Sequence, residues 1–328
     1  MNTDFDFSAL NSAGLTFREA TLDDIPPYVA LSNSIWSRAH WETVEEASSG
    51  FHRKDPGVHY MRAVAYVGDQ LAVWASARAH ISGRDTDGGY IHIIVAEPYR
   101  RKGIATHVFG PFQELHRRWG SKVLWSWASD DIPYAEPFCL KLGYTLVNRG
   151  SESELVLAEA DLEPFRERYE RLCRDGYEFF TLDERDTPEM RRAVYELDQA
   201  MLKMMPTAGA PPPRASFEAW QFNALESPGC SPRQIVLATQ GAGPIGLSYL
   251  WYGSYGIAGT YTTGVMPEHR GRGVAGALKY LSLKRAMEDG IDTVVTENAV
   301  QNAPMLSINR RLGFRHVRNT AELEKRLG

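Results

Sequence analysis

Cysteine is scarce in this sequence. Cys139, Cys173 and Cys230 are far apart, odd in number and outside any CxxC pair. That argues against a disulfide framework and a cysteine zinc site, and it fits a reducing, cytoplasmic setting. The nine histidines are scattered, with no HxH or HExxH, so no metal is expected. No apolar run approaches the roughly 20 residues that span a bilayer. The opening MNTDFDFSALNSAG is polar and acidic, unlike a signal peptide, and no membrane partner is expected. Nor does one sign of charge dominate. The net charge of −5 gives no general attraction to nucleic acid or anionic lipid, and no nucleic-acid partner is expected. GxxxxGK[ST] is absent, which leaves a nucleotide P-loop unsupported.

What is there begins with a repeat. The chain has 328 residues, enough for two ordinary domains, and 43% of them are hydrophobic, enough for a core in each. Val95, Arg100, Gly103 and Ala105 recur 170 residues later as Val265, Arg270, Gly273 and Ala275. The same offset holds at Gly120 and Gly290, and at Leu142-Gly143-Tyr144 and Leu312-Gly313-Phe314. About fifty residues therefore match without an insertion, which implies two copies of one unit. We expect an α/β (α+β) protein with one domain over 1–160, a charged helical connector over 161–176 and a second domain over 177–328.

Each copy reads in the same order. In the first, strands are predicted at 15–20, 62–68, 70–82, 90–97 and KVLWSWA, with helices after Asp24, over 104–119 and over 134–141. Gly110-Pro111 should kink the 104–119 helix. In the second, strands are predicted at 177–182, RQIVLATQ, PIGLSYLWYG, 257–265 and DTVVTE. Its helices are predicted at 188–204, FEAWQFNAL with Ser216 as N-cap, 274–289 and 304–311. Hairpins are expected over YTLVNRGSESELVLA and from Phe314 onward.

The repeated turn has the chemistry of an anion site. A strand, then Arg-x-x-Gly-x-Ala, then a helix puts unpaired N–H groups and a partial positive charge at the helix start. Glycine admits close approach by a pyrophosphate, and the arginines add charge-assisted hydrogen bonds. The residues are Arg100, Arg101, Lys102, Gly103, Ile104 and Ala105 in the first copy, and Arg270, Gly271, Arg272, Gly273, Val274 and Ala275 in the second. A solvated basic turn over a helix cap is the plainer alternative. Gly271-x-Gly273-x-x-Gly276 also fits the dinucleotide GxGxxG, with Glu297 where a ribose-binding acid would sit. Against an oxidoreductase, five residues separate strand from glycine, and only about fifty residues follow the motif. The first copy also has Arg101 and Thr106 in place of the outer glycines.

VMPEHRGRGVA (265–275) and VAEPYRRKGIA (95–105) resemble the signature of the GNAT superfamily of acyl-CoA-dependent N-acetyltransferases, [R/Q]-x-x-G-x-[G/A] after V-x-P-x-x-R. NAPMLSINRRLGF (302–314) and IPYAEPFCLKLGY (132–144) are similar to its late Asn–helix–Gly-aromatic element. Two-domain members such as mycothiol synthase share this plan, but no residue here assigns their substrate. The resemblance implies a mixed, twisted sheet flanked by helices in each half, with the fourth and fifth strands splayed around acetyl-CoA as cosubstrate. It places the pyrophosphate at 270–275, and the pantetheine arm and thioester against the backbone of Gly264, Val265 and Met266. Val95 and Arg100–Ala105 have the corresponding place in the first half. Asn302 matches the asparagine that contacts the cofactor arm, and Asn298 precedes it in TENAVQN.

Acetyl transfer needs the acceptor's ammonium deprotonated, the thioester oxygen stabilised and the thiolate released. Glu297, at a strand end beside the implied gap, is the candidate general base, and a solvated glutamate is the alternative. The family's leaving-group tyrosine is replaced by Asn309 in one copy and Cys139 in the other; Asn309 could hydrogen-bond the sulfur. His92 is a possible base in the first half. Tyr252, Tyr255 and Tyr261, or Trp36 and Trp41, could line an acceptor pocket, though such aromatics also build cores. The in-register proline, the glycine-rich turn and the two asparagines favour catalysis in the C-terminal copy. The acceptor would be a small-molecule or peptide amine, and the rival reading is a non-catalytic acyl-CoA sensor or scaffold.

Overall fold

The computed structural model describes residues 5–52, 58–80, 88–204, 216–241 and 243–328. The chain divides into two compact units, Met1–Val147 with Ala321–Gly328, and Asn148–Thr320. These outlines depart from the expected 1–160 and 177–328. Residues 81–87 and the proline-rich loop at 205–215 lie outside the described residues.

The first unit opens with β1 (Phe17–Glu19), α1 (Ile25–Asn33) and α2 (Val44–His52). It continues through β2 (Val58–Val67), β3 (Gln70–His80), β4 (Gly88–Val95), α3 (Ile104–Arg118), β5 (Val123–Ser129) and α4 (Ala135–Lys141). β1 to β4 pair antiparallel in sequence order, and β4 pairs parallel with β5. α2 was not foreseen. α3 runs unbroken through Pro111, because a proline there costs one backbone bond while Val108, Phe109, Phe112 and Leu115 stay buried.

After β6 (Thr145–Val156) and α5 (Glu163–Arg174), the second unit repeats the plan. Its elements are β7 (Glu178–Thr181), α6 (Pro188–Met204), α7 (Phe217–Gln221), β8 (Ile235–Thr239), β9 (Pro244–Tyr252) and β10 (Ile257–Val265). Then come α8 (Val274–Glu288), β11 (Thr293–Ala299), α9 (Ala303–Leu312) and β12 (Arg315–Arg326). Ser216 caps α7 as expected, accepting from the Ala219 amide at 3.1 Å, but the helix passes into a π turn at Phe222–Glu226. On one face of this sheet, Leu237, Leu247 and Tyr249 pack with α6 and α7. On the other, Leu250, Ala258 and Val294 pack with α5, α8 and α9.

Neither expected terminal hairpin forms. β6 and β12 are single strands of 12 residues each. Gly150 stays in the strand and so does not supply the left-handed turn a tight hairpin requires. The unbroken strands serve both cores. From Gly150 to Val156, β6 pairs antiparallel with β11 in the second unit. The end of the chain goes to the first unit instead, where Ala321 and Leu323 are buried among Phe109, Leu124, Ala128 and Tyr144. The Leu327 amide donates to the Lys122 carbonyl at 2.8 Å. A hairpin at either place would leave one sheet without its last strand.

Candidate acyl-CoA cleft

In each unit two neighbouring parallel strands begin together and then part. The β4–β5 ladder ends at Tyr90↔Trp125, and the β10–β11 ladder ends at Gly259↔Val295. Both strands of each pair run on for several residues, which leaves a wedge with unpaired backbone edges. Such edges are open to an extended ligand.

The basic turns lie beyond the parting strands and follow one backbone path. Glu97–Tyr99 and Pro267–His269 form matching short 3₁₀ turns. Gly103 (φ 79°) and Gly273 (φ 93°) are left-handed and cap α3 and α8. The first helical bonds run from His107 N to Gly103 O and from Ala277 N to Gly273 O. The amides before them therefore precede the helical ladder and point out of the helix start. Ile104 and Val274 are buried and anchor each helix start, while Ala105 and Ala275 are half-buried. Arg100 and Arg270 do not simply extend toward solvent. Each turns its Nε back onto the last strand carbonyl, Val95 at 2.8 Å and Val265 at 2.9 Å. The leading arginine thus ties turn to strand.

The turns differ in their surroundings. Among the described residues, a methyl group built on Gly103 would meet nothing within 4 Å, whereas one on Gly273 would lie 2.7 Å from Cδ of Arg168 on α5. A methyl on Gly276 would meet the Phe165 ring at 3.0 Å. The third glycine of the apparent dinucleotide motif therefore serves the close packing of α5 on α8. Arg272 donates to the Tyr177 hydroxyl at 3.3 Å, while Arg101 and Lys102 are exposed. Arg168 went unnoticed in the sequence because the 161–176 segment read only as a connector.

The other predicted residues fall into two groups. Glu297 is exposed on β11, and Thr320 donates to its carboxylate. Val294 faces α8, so strand alternation puts Glu297 on the α6 side of the sheet. Asn298 faces the other way and accepts from the Asn309 amide at 2.7 Å. Asn309 is 2% exposed, and its Oδ1 has no hydrogen-bond partner among the described residues. Asn302 is the N-cap of α9, accepting from the Met305 amide at 3.4 Å. Gly264 and Met266 are half-buried and Val265 is buried along the parted length of β10.

The tyrosines separate. Tyr252 pairs opposite Ala258, at the end where β10 and β11 are still joined, and its hydroxyl donates to Asp289 at 3.2 Å. Tyr255 sits in the turn before β10 with φ 62°. Only Tyr261 is at the parting, where the β9–β10 register shifts between Thr260 and Thr262. Bulges of this kind re-aim side chains and often border active sites. Among the described residues, β4 keeps a single register against β3 from Gly89 to Val95. In the first unit, desolvation lowers the His92 imidazole's proton affinity, and the Trp41 indole is bound to the Trp36 carbonyl at 2.9 Å.

Asp198, a residue not singled out in the sequence, also lies on the α6 side. It is 3% exposed, with an Oδ1 that has no hydrogen-bond partner among the described residues. Burial pushes its carboxyl up to about 6, against smaller opposing effects from Trp220 and Gln199.

Two copies of a mixed sheet, each with parted central strands and a left-handed glycine turn at a helix start, define a tandem α/β fold of the acyltransferase type. The family model for the acetyltransferase (GNAT) family matches residues 22–144 and again 194–314, and the chain belongs to that family. It is 26% identical over 233 residues to the mycothiol acetyltransferase of Pseudarthrobacter chlorophenolicus, covering 69% of this chain and 67% of that one. Its fold is similar to a tandem GNAT protein from the clavulanic acid biosynthesis pathway, with TM-score 0.73, 19% identity and coverage of 96% and 99%. It is also similar to a GCN5-related N-acetyltransferase from Sphaerobacter thermophilus, with TM-score 0.71, 17% identity and coverage of 96% of each chain.

Proposed function

We propose that this acetyltransferase moves an acetyl group from acetyl-CoA to an amine, and that the second unit performs the chemistry. One observation carries the choice: among the described residues, only there does a register shift at the parting, beside Tyr261, accompany the wedge and the glycine turn. The pyrophosphate would rest on the amides from Gly273 onward, with Arg168 and Arg272 beside it. The pantetheine arm would lie along Gly264–Met266, whose backbone would polarise the thioester carbonyl.

Glu297, on the acceptor side of the sheet, takes the ammonium proton. The amine attacks the carbonyl carbon, the C–N bond forms, and the C–S bond breaks. The second nitrogen proton ends on the CoA thiolate. Asn309 holds the sulfur through its amide, and Asn298 fixes that amide. A thiolate of pKa about 8.5 is already a fair leaving group, so an asparagine can stand where a tyrosine acid is common. The turn from Val95 to Ala105 holds a second acyl-CoA without turnover. The acceptor is a small or peptide amine, and the three free thiols fit a reducing cytoplasm.

Free-thiol release from acetyl-CoA over a panel of amines tests this. Wild type should turn over, and Gly273→Glu should lose about a hundredfold or more, since a carboxylate beside phosphate costs several kcal/mol. Gly103→Glu should retain turnover while losing one bound CoA. Tight CoA binding without turnover on any amine would establish the sensor reading instead. Loss only in Gly103→Glu would move the chemistry to the first unit.

A further inference from the structure

Asp198 has no part in the scheme above, yet it is a buried carboxylate on the same side of the sheet as Glu297. Met201, one turn further along α6, marks where this helix crosses β10: a methyl on Gly264 would lie 2.6 Å from its Sδ. Residues three apart share a helix face, so Asp198 also overlies the parted length of β10. Its field reaches the hydroxyls of Tyr249 and Tyr261, whose rings are 4.8 Å apart. Tyr261 is 52% exposed, so this cluster connects the buried carboxylate with the surface of the cleft.

A carboxylate buried in this way is unfavourable unless a cation or several donors satisfy it. Among the described residues, Trp220 from α7, Tyr249 from β9 and Tyr261 from β10 interact with it, with Gln199 beside it on α6 and Cys230 behind the two tyrosines. None of these is a cation, and Oδ1 is left without a donor among the described residues. Aromatic walls around a carboxylate form a good receptor for an ammonium.

The spacing decides which ammonium. Gly264 belongs to the stretch assigned to the thioester, and Tyr261 lies three residues before it, about 10 Å along a strand. Along α6, Asp198 precedes Met201 by about 4.5 Å. The carboxylate is thus a short spacer away from the attacked carbonyl. Glu297 already serves the attacking nitrogen in this scheme, which leaves Asp198 for a second charge on the acceptor.

We propose that Asp198 anchors a positively charged group of the acceptor other than the nitrogen that is acylated, so the acceptors are amines with a second ammonium or guanidinium. This rests on acetyl transfer in the second unit. Because the carboxyl titrates near 6, the anchor is charged at neutral pH and fades as pH falls through that value.

The test compares 1,4-diaminobutane with n-butylamine on the full chain, by thiol release with saturating acetyl-CoA and by calorimetry in the presence of CoA. We expect the diamine to have a KM lower by about tenfold or more, as a desolvated charge pair provides, with similar kcat. In Asp198→Asn the KM ratio should fall to near one, and Asp198→Glu should restore part of it. The CoA affinity of both variants should match wild type. An equal KM for the two amines in wild type, or an undiminished ratio in Asp198→Asn, overturns the anchor while leaving acetyl transfer intact. Diamine binding that depends on Asp198, without any turnover, keeps the anchor and removes the transfer reading.

Discussion

The two glycine turns share a backbone but not an environment. Both fold a leading arginine onto the strand and both start a helix on a left-handed glycine. Around Gly103 there is open space; beside Gly273 the Arg168 side chain has been brought in on α5. The same local design can thus be an open anion cradle or one supplemented by a neighbouring helix. The repeat fixes the cradle, and the residues outside it specialise each copy.

The helices that follow the turns offer the largest contrast. Lys279 occupies the position that Phe109 holds 170 residues earlier. Phe109 packs against Tyr144 with ring centroids 6.0 Å apart, whereas Lys279 is 3% exposed with its Nζ 4.8 Å from the centre of the Phe314 ring. Burial lowers the Lys279 ammonium to about 7 from its usual 10.5. Between those values the unfolded chain holds a proton that the folded chain does not, so this residue makes stability rise with pH from about 7 to 10.5. Below about 7 the full penalty applies. Lys279→Met should therefore stabilise the protein by a few kcal/mol at pH 7, raising the melting temperature by several degrees and flattening its rise toward alkaline pH. Thermal unfolding from pH 6 to 10 measures both. An unchanged slope would mean that Lys279 is already satisfied in the folded chain.

Arg168 comes next. If it supplements the second turn, Arg168→Ala should raise the KM for acetyl-CoA about tenfold, the worth of one charge-assisted contact to phosphate, with kcat little changed. Lys102, in the first turn, should not matter to turnover if chemistry is confined to the second unit. A fall in kcat at constant KM in Arg168→Ala would mean that the α5 contact supports the fold of the site and does not hold the cofactor.

How much of this was legible follows the same division. The turns, the strand–turn–helix order and the two repeats are local, and period and offset exposed them. The lengths of β6 and β12 were not legible. YTLVNRGSESELVLA contains Asn-Arg-Gly, which reads as a turn until its partner strand β11 is known. Arg168 and Asp198 lie on amphipathic helices, where one charged residue looks like another until packing decides which is covered. Tyr252, Tyr255 and Tyr261 looked equivalent in sequence, and only the place where β10 leaves β11 separates Tyr261 from the other two. Glu297 reads as a strand-end residue in the sequence, whereas the structure places it within β11, two residues before Ala299 closes the strand.

The smallest effect concerns the residue before the basic position of each turn. Arg101 has φ 64° and Gly271 has φ 74°, so the first copy holds an arginine in the conformation for which the second uses glycine. A side chain there costs roughly 1–2 kcal/mol, and a glycine returns part of that as extra freedom in the unfolded chain. Arg101→Gly should consequently stabilise by less than about 1 kcal/mol, while Gly271→Ala should destabilise by about 1 kcal/mol. The functional consequence differs from the stability one. Arg101 is exposed, and its persistence in a strained conformation is explained if it faces an anion. Calorimetric titration of CoA into Gly273→Glu, where only the first turn remains intact, isolates that question. Adding Arg101→Gly should then weaken binding severalfold despite the relief of strain. Equal CoA affinity with and without Arg101 would leave the strained arginine as a feature of the chain path alone.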